Sequence, residues 1–202
     1  QDRKEIVYLL LSGSAIGLAV LTKGPVSVLV FGLVAGVLFF INGFRLGISW
    51  KGLGLFLSVL ILVGGFWFLL QIATGNFDVV IDFLVYQVRL FNTKDAGHGG
   101  FPLYHFIILL FGMFPASVFA IQGHRYRGEK NLQKFVHVAM VTLLWVVLLL
   151  FSIVKTKIVH YSSLTYFPIS YLAAYSILMI ITKRFKFRLW QKILLGMLGF
   201  IL

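Results

Sequence analysis

The feature that most constrains this chain is a series of long apolar runs, separated only by short polar interruptions. Hydrophobic residues make up 60% of the 202 residues and charged residues only 12%. Soluble domains are about half apolar and about one quarter charged. A water-soluble fold of this length could not cover so much apolar surface, so we expect lipid to be the solvent around much of the chain.

The runs are apolar at nearly every position, which separates them from the strands of a membrane barrel. Barrel strands alternate apolar and polar residues over about ten positions, whereas a helix crosses the ~30 Å hydrocarbon core with about 20 apolar residues. The runs therefore predict an all-α integral membrane protein, a polytopic helical bundle with about seven spans. We place the spans near residues 6–22, 26–41, 53–73, 102–121, 136–154 and 160–181, with a seventh that begins near 189 and is truncated.

Residues 76–101 differ from these runs. Charged and apolar residues mix at helical spacing over 77–91, and a Gly-rich stretch follows. This pattern predicts an interfacial helix and an outer loop. We treat residues 1–202 as one transmembrane domain and expect both ends to continue in a longer protein.

The basic residues indicate an orientation. Of the 18 Lys and Arg residues, 13 fall on one side of the predicted spans. The positive-inside rule places that side in the cytoplasm, so residues 76–101 face outward. We therefore interpret the formal charge of +12 as a signal that orients the chain in the lipid membrane, and we predict no nucleic-acid partner. The outward side carries the remaining five cations, Lys23, Arg89, Lys94, Lys155 and Lys157.

Outward cations oppose the orientation rule and therefore invite a functional explanation. Arg offers a bidentate fork to phosphate, and Lys offers a point charge. Anion binding at the membrane surface is one interpretation. The alternatives are lysines that snorkel to the headgroups and an ion pair of Arg89 with Asp82 or Asp95.

No strong metal or nucleophile motif is present. The chain has no cysteine, and His98 lies seven residues before His105 with no third ligand evident, so a divalent metal is left open. His98 could otherwise act as an acid or base, or cap the next helix. Tyr104 and His105 open an apolar run, as interface anchors do. Pro115 is expected to kink or end that helix.

Three segments together resemble one enzyme family. Residues 17–25 resemble its GLAxLTKGP turn, residues 89–115 its outer-loop Arg…His…Tyr…Pro pattern, and residues 151–161 its FSxxKTKxxxY segment. The family is the membrane glycosyltransferases of the protein O-mannosyltransferase and lipid A aminoarabinose transferase superfamily, which have the GT-C fold.

The resemblance implies transfer of a sugar from a polyprenyl-phosphate carrier to a protein, lipid or glycan acceptor on the non-cytoplasmic face of a bacterial inner membrane. It implies a donor-phosphate site of four cations and a substrate site of three further residues. These are Lys23, Arg89, Lys155 and Lys157 for the phosphate, and His98, Tyr104 and Tyr161 for the substrate. The catalytic residue stays unknown, because the family's acidic base lies in an outer loop that would precede Gln1. No cofactor is assigned.

Two other classes stay open. A transporter or flippase of lipid-linked sugars would also use outward cations, although it usually shows repeats or mid-span charges, and this sequence shows neither. A non-catalytic membrane scaffold is the other.

Overall fold

The computed structural model describes residues 3–45, 47–93, 99–126 and 131–202. Within these ranges the backbone is helical, apart from turns, short connections and one isolated bridge between Gly99 and Thr156. The elements in chain order are α1 (Arg3–Lys23), α2 (Val26–Ile41), α3 (Trp50–Gly64), α4 (Phe66–Ala73), α5 (Phe77–Asn92), α6 (Tyr104–Gly112), α7 (Ala116–Gly123), α8 (Asn131–Ile153), a 3-10 helix (Val159–Thr165), α9 (Tyr166–Ile181) and α10 (Leu189–Ile201).

Three segments are long and apolar enough to cross a membrane: α1, α8, and the 3-10 helix together with α9. Two bent pairs could each supply one more, because α3 and α4 meet at 53° and α6 and α7 at 114°. The described residues therefore hold three candidate spans, or five when each bent pair is one span. The shorter apolar helices α2 and α10 also coincide with predicted runs.

Two local predictions are confirmed. The amphipathic pattern over 77–91 is a helix, α5. The helix break expected at Pro115 is present, since α6 ends at Gly112 and α7 begins at Ala116. The ring of Pro115 removes a backbone donor and cannot continue the preceding helix.

The chain divides into two compact units, Gln1–Arg89 and Leu90–Leu202. In the first unit, α1 and α3 pack through glycines. A Cβ added at Gly17 would lie 2.7 Å from Val63 Cβ and 2.9 Å from the backbone nitrogen of Gly64. A Cβ added at Gly13, one turn earlier, would lie 2.9 Å from the carbonyl oxygen of Phe56. This is small-xxx-small packing, in which absent side chains let two helix backbones approach.

This seam makes a prediction for the first unit. We expect Gly17→Ala to destabilise the protein by about 1–3 kcal/mol through overpacking. Gly36→Ala in α2 is the matched control, because a Cβ there meets nothing within 4 Å and gains the same intrinsic helix propensity of roughly 1 kcal/mol. The measurement is the thermal unfolding midpoint of both variants in one detergent. Equal midpoints would contradict the assigned packing.

In the second unit, α6 to α9 enclose an apolar core. Its buried members come from four helices and are Leu109, Ala120, Leu144, Leu148, Ile169, Leu172 and Ala173. The end of α7 lies directly against the α9 backbone at Leu172, where only a glycine, Gly123, fits. This core supports the beginning of α6 and the end of α8, which carry the residues described next.

Candidate functional site

The predicted basic segment at residues 154–158 lies between α8 and the 3-10 helix and is held by hydrogen bonds. Thr156 is fully buried, and its hydroxyl donates to the carbonyl oxygen of Thr93 at 2.6 Å. The backbone N–H of Lys155 donates to the carbonyl oxygen of Phe91 at 3.2 Å. The Phe91 carbonyl lies in the last turn of α5, where a helix leaves acceptors without intrahelical partners, and the Thr93 carbonyl follows the helix directly. The 154–158 segment satisfies them and is fixed in place by them.

The two lysines of this segment have different surroundings. Lys155 is exposed, whereas Lys157 is only 4% exposed. The Lys157 ammonium donates to the carbonyl oxygens of Phe151 at 2.7 Å and Ser152 at 2.8 Å, in the last turn of α8. Burial lowers the pKa of Lys157 from its ordinary value. A cation at this position caps the free carbonyls of the helix and is stabilised by the negative end of the helix dipole.

The predicted phosphate ligands are therefore not equivalent. Two of the three donors of the Lys157 ammonium are taken by helix carbonyls, and the group is enclosed. Lys155 presents its side chain at the surface, its own backbone N–H is bonded to Phe91, and the side chain of the next residue, Thr156, is bonded to Thr93. Contact with a phosphate stays a prediction for both lysines, and of the two only Lys155 is exposed.

Of the predicted substrate-site tyrosines, Tyr161 lies against Phe151, and Tyr104 lies against His105, which itself neighbours Phe151. The ring of Tyr161 lies 5.3 Å from the ring of Phe151, and the ring of His105 lies 6.1 Å from it. Tyr104 packs edge-on against His105, with ring centroids 5.1 Å apart. The arrangement joins the start of α6, the end of α8 and the 3-10 helix around one phenylalanine, whose carbonyl also binds Lys157.

His105 is a residue whose role the sequence did not reveal. It was interpreted as an interface anchor, but the structure encloses it completely, at 0% exposure. Its Nδ1 lies 3.1 Å from the hydroxyl oxygen of Ser162. The only sequence signal was a histidine in an apolar run, and nothing in the sequence pairs it with a serine 57 residues away.

In the first unit, the turn that follows Lys23 packs against α5. Gly24 is buried with φ at 74°, a left-handed conformation that favours glycine. A Cβ there would lie 3.0 Å from Phe83 Cζ and 3.8 Å from Gln87 Cδ. Lys23, at the end of α1, is exposed. The close approach to α5 and the positive φ together explain a glycine after Lys23.

Helix α5 presents three sectors when its residues are placed at 100° intervals. The sector of Val80, Phe83 and Gln87 packs against other parts of the first unit. The exposed apolar sector consists of Phe77, Ile81, Leu84 and Val88. The exposed polar sector consists of Asp78, Asp82 and Arg89. The Arg89 guanidinium lies 5.1 Å from the centroid of the Tyr86 ring, a cation–π contact. The polar sector thus holds Arg89 at the surface.

The structure therefore separates the predicted site residues by unit. Lys23 and Arg89 belong to the first unit, and Lys155, Lys157, Tyr104 and Tyr161 to the second. His98, with Lys94 and Asp95, lies outside the described residues. Among the residues that are described, no group of three or more His, Cys, Asp or Glu side chains could hold a metal ion.

Comparison with known proteins adds no relative. The chain matches no protein-family model, no curated protein and no solved structure. The class defined by fold and composition is an all-helical protein with several helices of membrane-spanning length and apolarity. The glycosyltransferase resemblance stays a prediction from the three sequence segments.

Proposed function

We propose that this chain forms the donor-phosphate side of a membrane glycosyltransferase that uses a polyprenyl-phosphate sugar. The observation that supports it most is the 154–158 segment, in which Lys155 is exposed while its backbone N–H and the neighbouring Thr156 hydroxyl are each hydrogen-bonded to a carbonyl at the end of α5 or just after it. A solvated lysine with no role beyond solubility requires no such support. Preplaced cations of this kind stabilise a phosphate without reorganising during reaction.

The reaction in this proposal is a single inverting displacement. A nucleophilic atom of the acceptor attacks the anomeric carbon, the bond from that carbon to the phosphate oxygen breaks, and its electron pair leaves with the polyprenyl phosphate. The acceptor's proton passes to a base that the resemblance places outside residues 1–202. Lys155 would face the charge that develops on the leaving phosphate. We assign a phosphate ligand to Lys23 and Arg89 as well, which both belong to the first unit.

The membrane arrangement is part of the proposal. We place seven crossings of GT-C type in a bacterial inner membrane, with α5 in the outer interface and its exposed apolar sector toward lipid. In support, every predicted run contains a helix. At 1.5 Å per residue, the 16 residues of α2 extend about 24 Å. This length is below ~30 Å, so that crossing would require local thinning of the bilayer.

The test uses the full-length protein in nanodiscs with a panel of undecaprenyl-phosphate monosaccharides and candidate acceptors. The expected result is release of undecaprenyl phosphate that depends on the acceptor. Absence of release with every donor, from protein that is monodisperse and binds no donor, would overturn the proposal.

One observation favours a second candidate, a transporter or flippase of lipid-linked sugars. The bends of 53° and 114° within apolar helix pairs resemble the discontinuous helices of transporters. Proteoliposomes distinguish the two classes. A transporter would move the intact lipid-linked sugar between leaflets without releasing undecaprenyl phosphate, whereas a transferase would release it.

A further inference from the structure

The imidazole of His105 has a defined hydrogen-bond polarity. Its Nδ1 lies 3.1 Å from the Ser162 hydroxyl oxygen, and that hydroxyl donates its proton to the carbonyl oxygen of Val159 at 3.1 Å. The serine has one proton, so it can only accept from His105. Nδ1 must therefore carry hydrogen and donate. In the neutral ring Nε2 is then the lone-pair atom, an acceptor.

This acceptor is enclosed and unused. His105 is 0% exposed, and its Nε2 has no hydrogen-bond partner among the described residues. Buried polar atoms are satisfied in the great majority of cases, and an unsatisfied one costs about 1–3 kcal/mol. This atom lies inside a group of candidate substrate residues and is an acceptor available to a ligand.

Lys157 lies in the same region, because its ammonium donates to the carbonyl oxygen of Phe151 and the His105 ring lies 6.1 Å from the Phe151 ring. This ammonium uses two donors on carbonyls of α8 and retains a third. A cationic donor at Nε2 would bring a second positive charge into this region, which favours a neutral donor such as a hydroxyl.

We propose that Nε2 of His105 recognises a hydroxyl group, which donates its proton to this nitrogen. On the proposed function, on which this inference rests, the hydroxyl belongs to the sugar of the donor. An ionised phosphate oxygen would accept from Lys157 but has no proton for Nε2. No group of three potential metal ligands occurs among the described residues.

Access to Nε2 requires a side chain to move, because the ring is enclosed in this structure. Tyr104 is a half-buried neighbour whose ring packs edge-on against His105 at 5.1 Å. In this proposal the sugar enters by displacing that ring. An ordered water is the other source of the same chemistry, because it also donates and accepts.

The experiment compares His105→Asn with His105→Gln in the full-length protein. The Asn amide nitrogen can replace Nδ1 toward Ser162 but leaves nothing at the position of Nε2, whereas the Gln amide oxygen reaches that position as an acceptor. We measure the affinities for undecaprenyl phosphate and for the undecaprenyl-phosphate monosaccharide that the wild type binds best. We expect His105→Asn to weaken the sugar-bearing lipid about tenfold, as for one lost hydrogen bond, and to leave undecaprenyl phosphate unchanged. His105→Gln should retain most of the sugar affinity.

Each other outcome is distinct. If the wild type binds neither lipid, the proposed function fails, and this inference fails with it. If the wild type binds both and His105→Asn weakens neither, the atom holds a water and the hydroxyl assignment is overturned, while the proposed function stands. Equal weakening of both lipids would indicate a structural role and would also overturn the assignment.

A second measurement needs no variant and is independent of whether His105→Asn folds. The wild-type protein is titrated with donor analogues that each lack one sugar hydroxyl. One analogue is expected to bind about tenfold more weakly than the others. Equal affinity for all of them would overturn the inference.

Discussion

Lys155→Ala in the full-length protein is expected to lower the rate of acceptor-dependent undecaprenyl phosphate release by about 100-fold, the effect of removing one preorganised group that stabilises transition-state charge. Lys155 is exposed, and its backbone N–H is bonded to the carbonyl oxygen of Phe91. The substitution removes the side-chain charge and leaves this bond in place. Folding should therefore be unaffected, and the loss should appear in turnover.

Lys186→Ala is the matched control for this prediction. Lys186 is also exposed, and its backbone is also held by a hydrogen bond, since its carbonyl oxygen accepts from Gln122 Nε2 at 3.1 Å. In the proposed orientation it lies on the cytoplasmic side, so its loss should change turnover less than about twofold, as for an exposed charge away from the reaction. Similar turnover in the two variants would remove the phosphate role from Lys155. Partial activity in Lys155→Arg would show that charge is the property required.

Thr156→Val tests whether the fixed backbone matters. Valine has nearly the same side-chain volume as threonine but lacks the hydroxyl. The substitution therefore removes the 2.6 Å hydrogen bond from Thr156 to the carbonyl oxygen of Thr93. If positioning of Lys155 matters, turnover falls while Lys155 itself is intact. Turnover that equals the wild type would mean that Lys155 finds its ligand without this support.

The sequence predicted most of the helices, because each follows from a local property. Apolar runs form helices in lipid, since all backbone polar groups must be satisfied within the segment. Pro115 ends α6 for the steric reason expected, and Gly24 takes the positive φ that the Lys23–Pro25 turn requires. The count of crossings could not be fixed in this way, because the bend within an apolar pair depends on tertiary packing.

The site was less predictable, because its chemistry depends on distant contacts. Lys155 and Lys157 look equivalent in sequence, yet one is exposed and the other is enclosed against the end of α8. Helix α8 ends just before them, and only the fold shows that the second ammonium returns to its carbonyls. The pairing of His105 with Ser162 spans 57 residues and has no local signature.

Gly123→Ala is expected to be the most destabilising single-methyl change in the second unit. A Cβ on Gly123 would overlap the carbonyl oxygen of Leu172 and lie 3.1 Å from its Cα. Both obstructing atoms belong to the backbone of α9, so rotation of a side chain cannot relieve the contact. Helix α7 would have to move away from α9, which opens the core around Leu172, itself at 0% exposure.

The expected loss is about 3 kcal/mol or more, at the upper end of measured overpacking, and it should appear as a lower unfolding midpoint in detergent and as aggregation on gel filtration. Gly112→Ala is the matched control, because Gly112 is likewise the last residue of its helix and a Cβ there meets nothing within 4 Å. The difference between the two variants isolates the α7–α9 contact from helix propensity. If Gly123→Ala were as stable as Gly112→Ala, the two helices would have to pack farther apart than described.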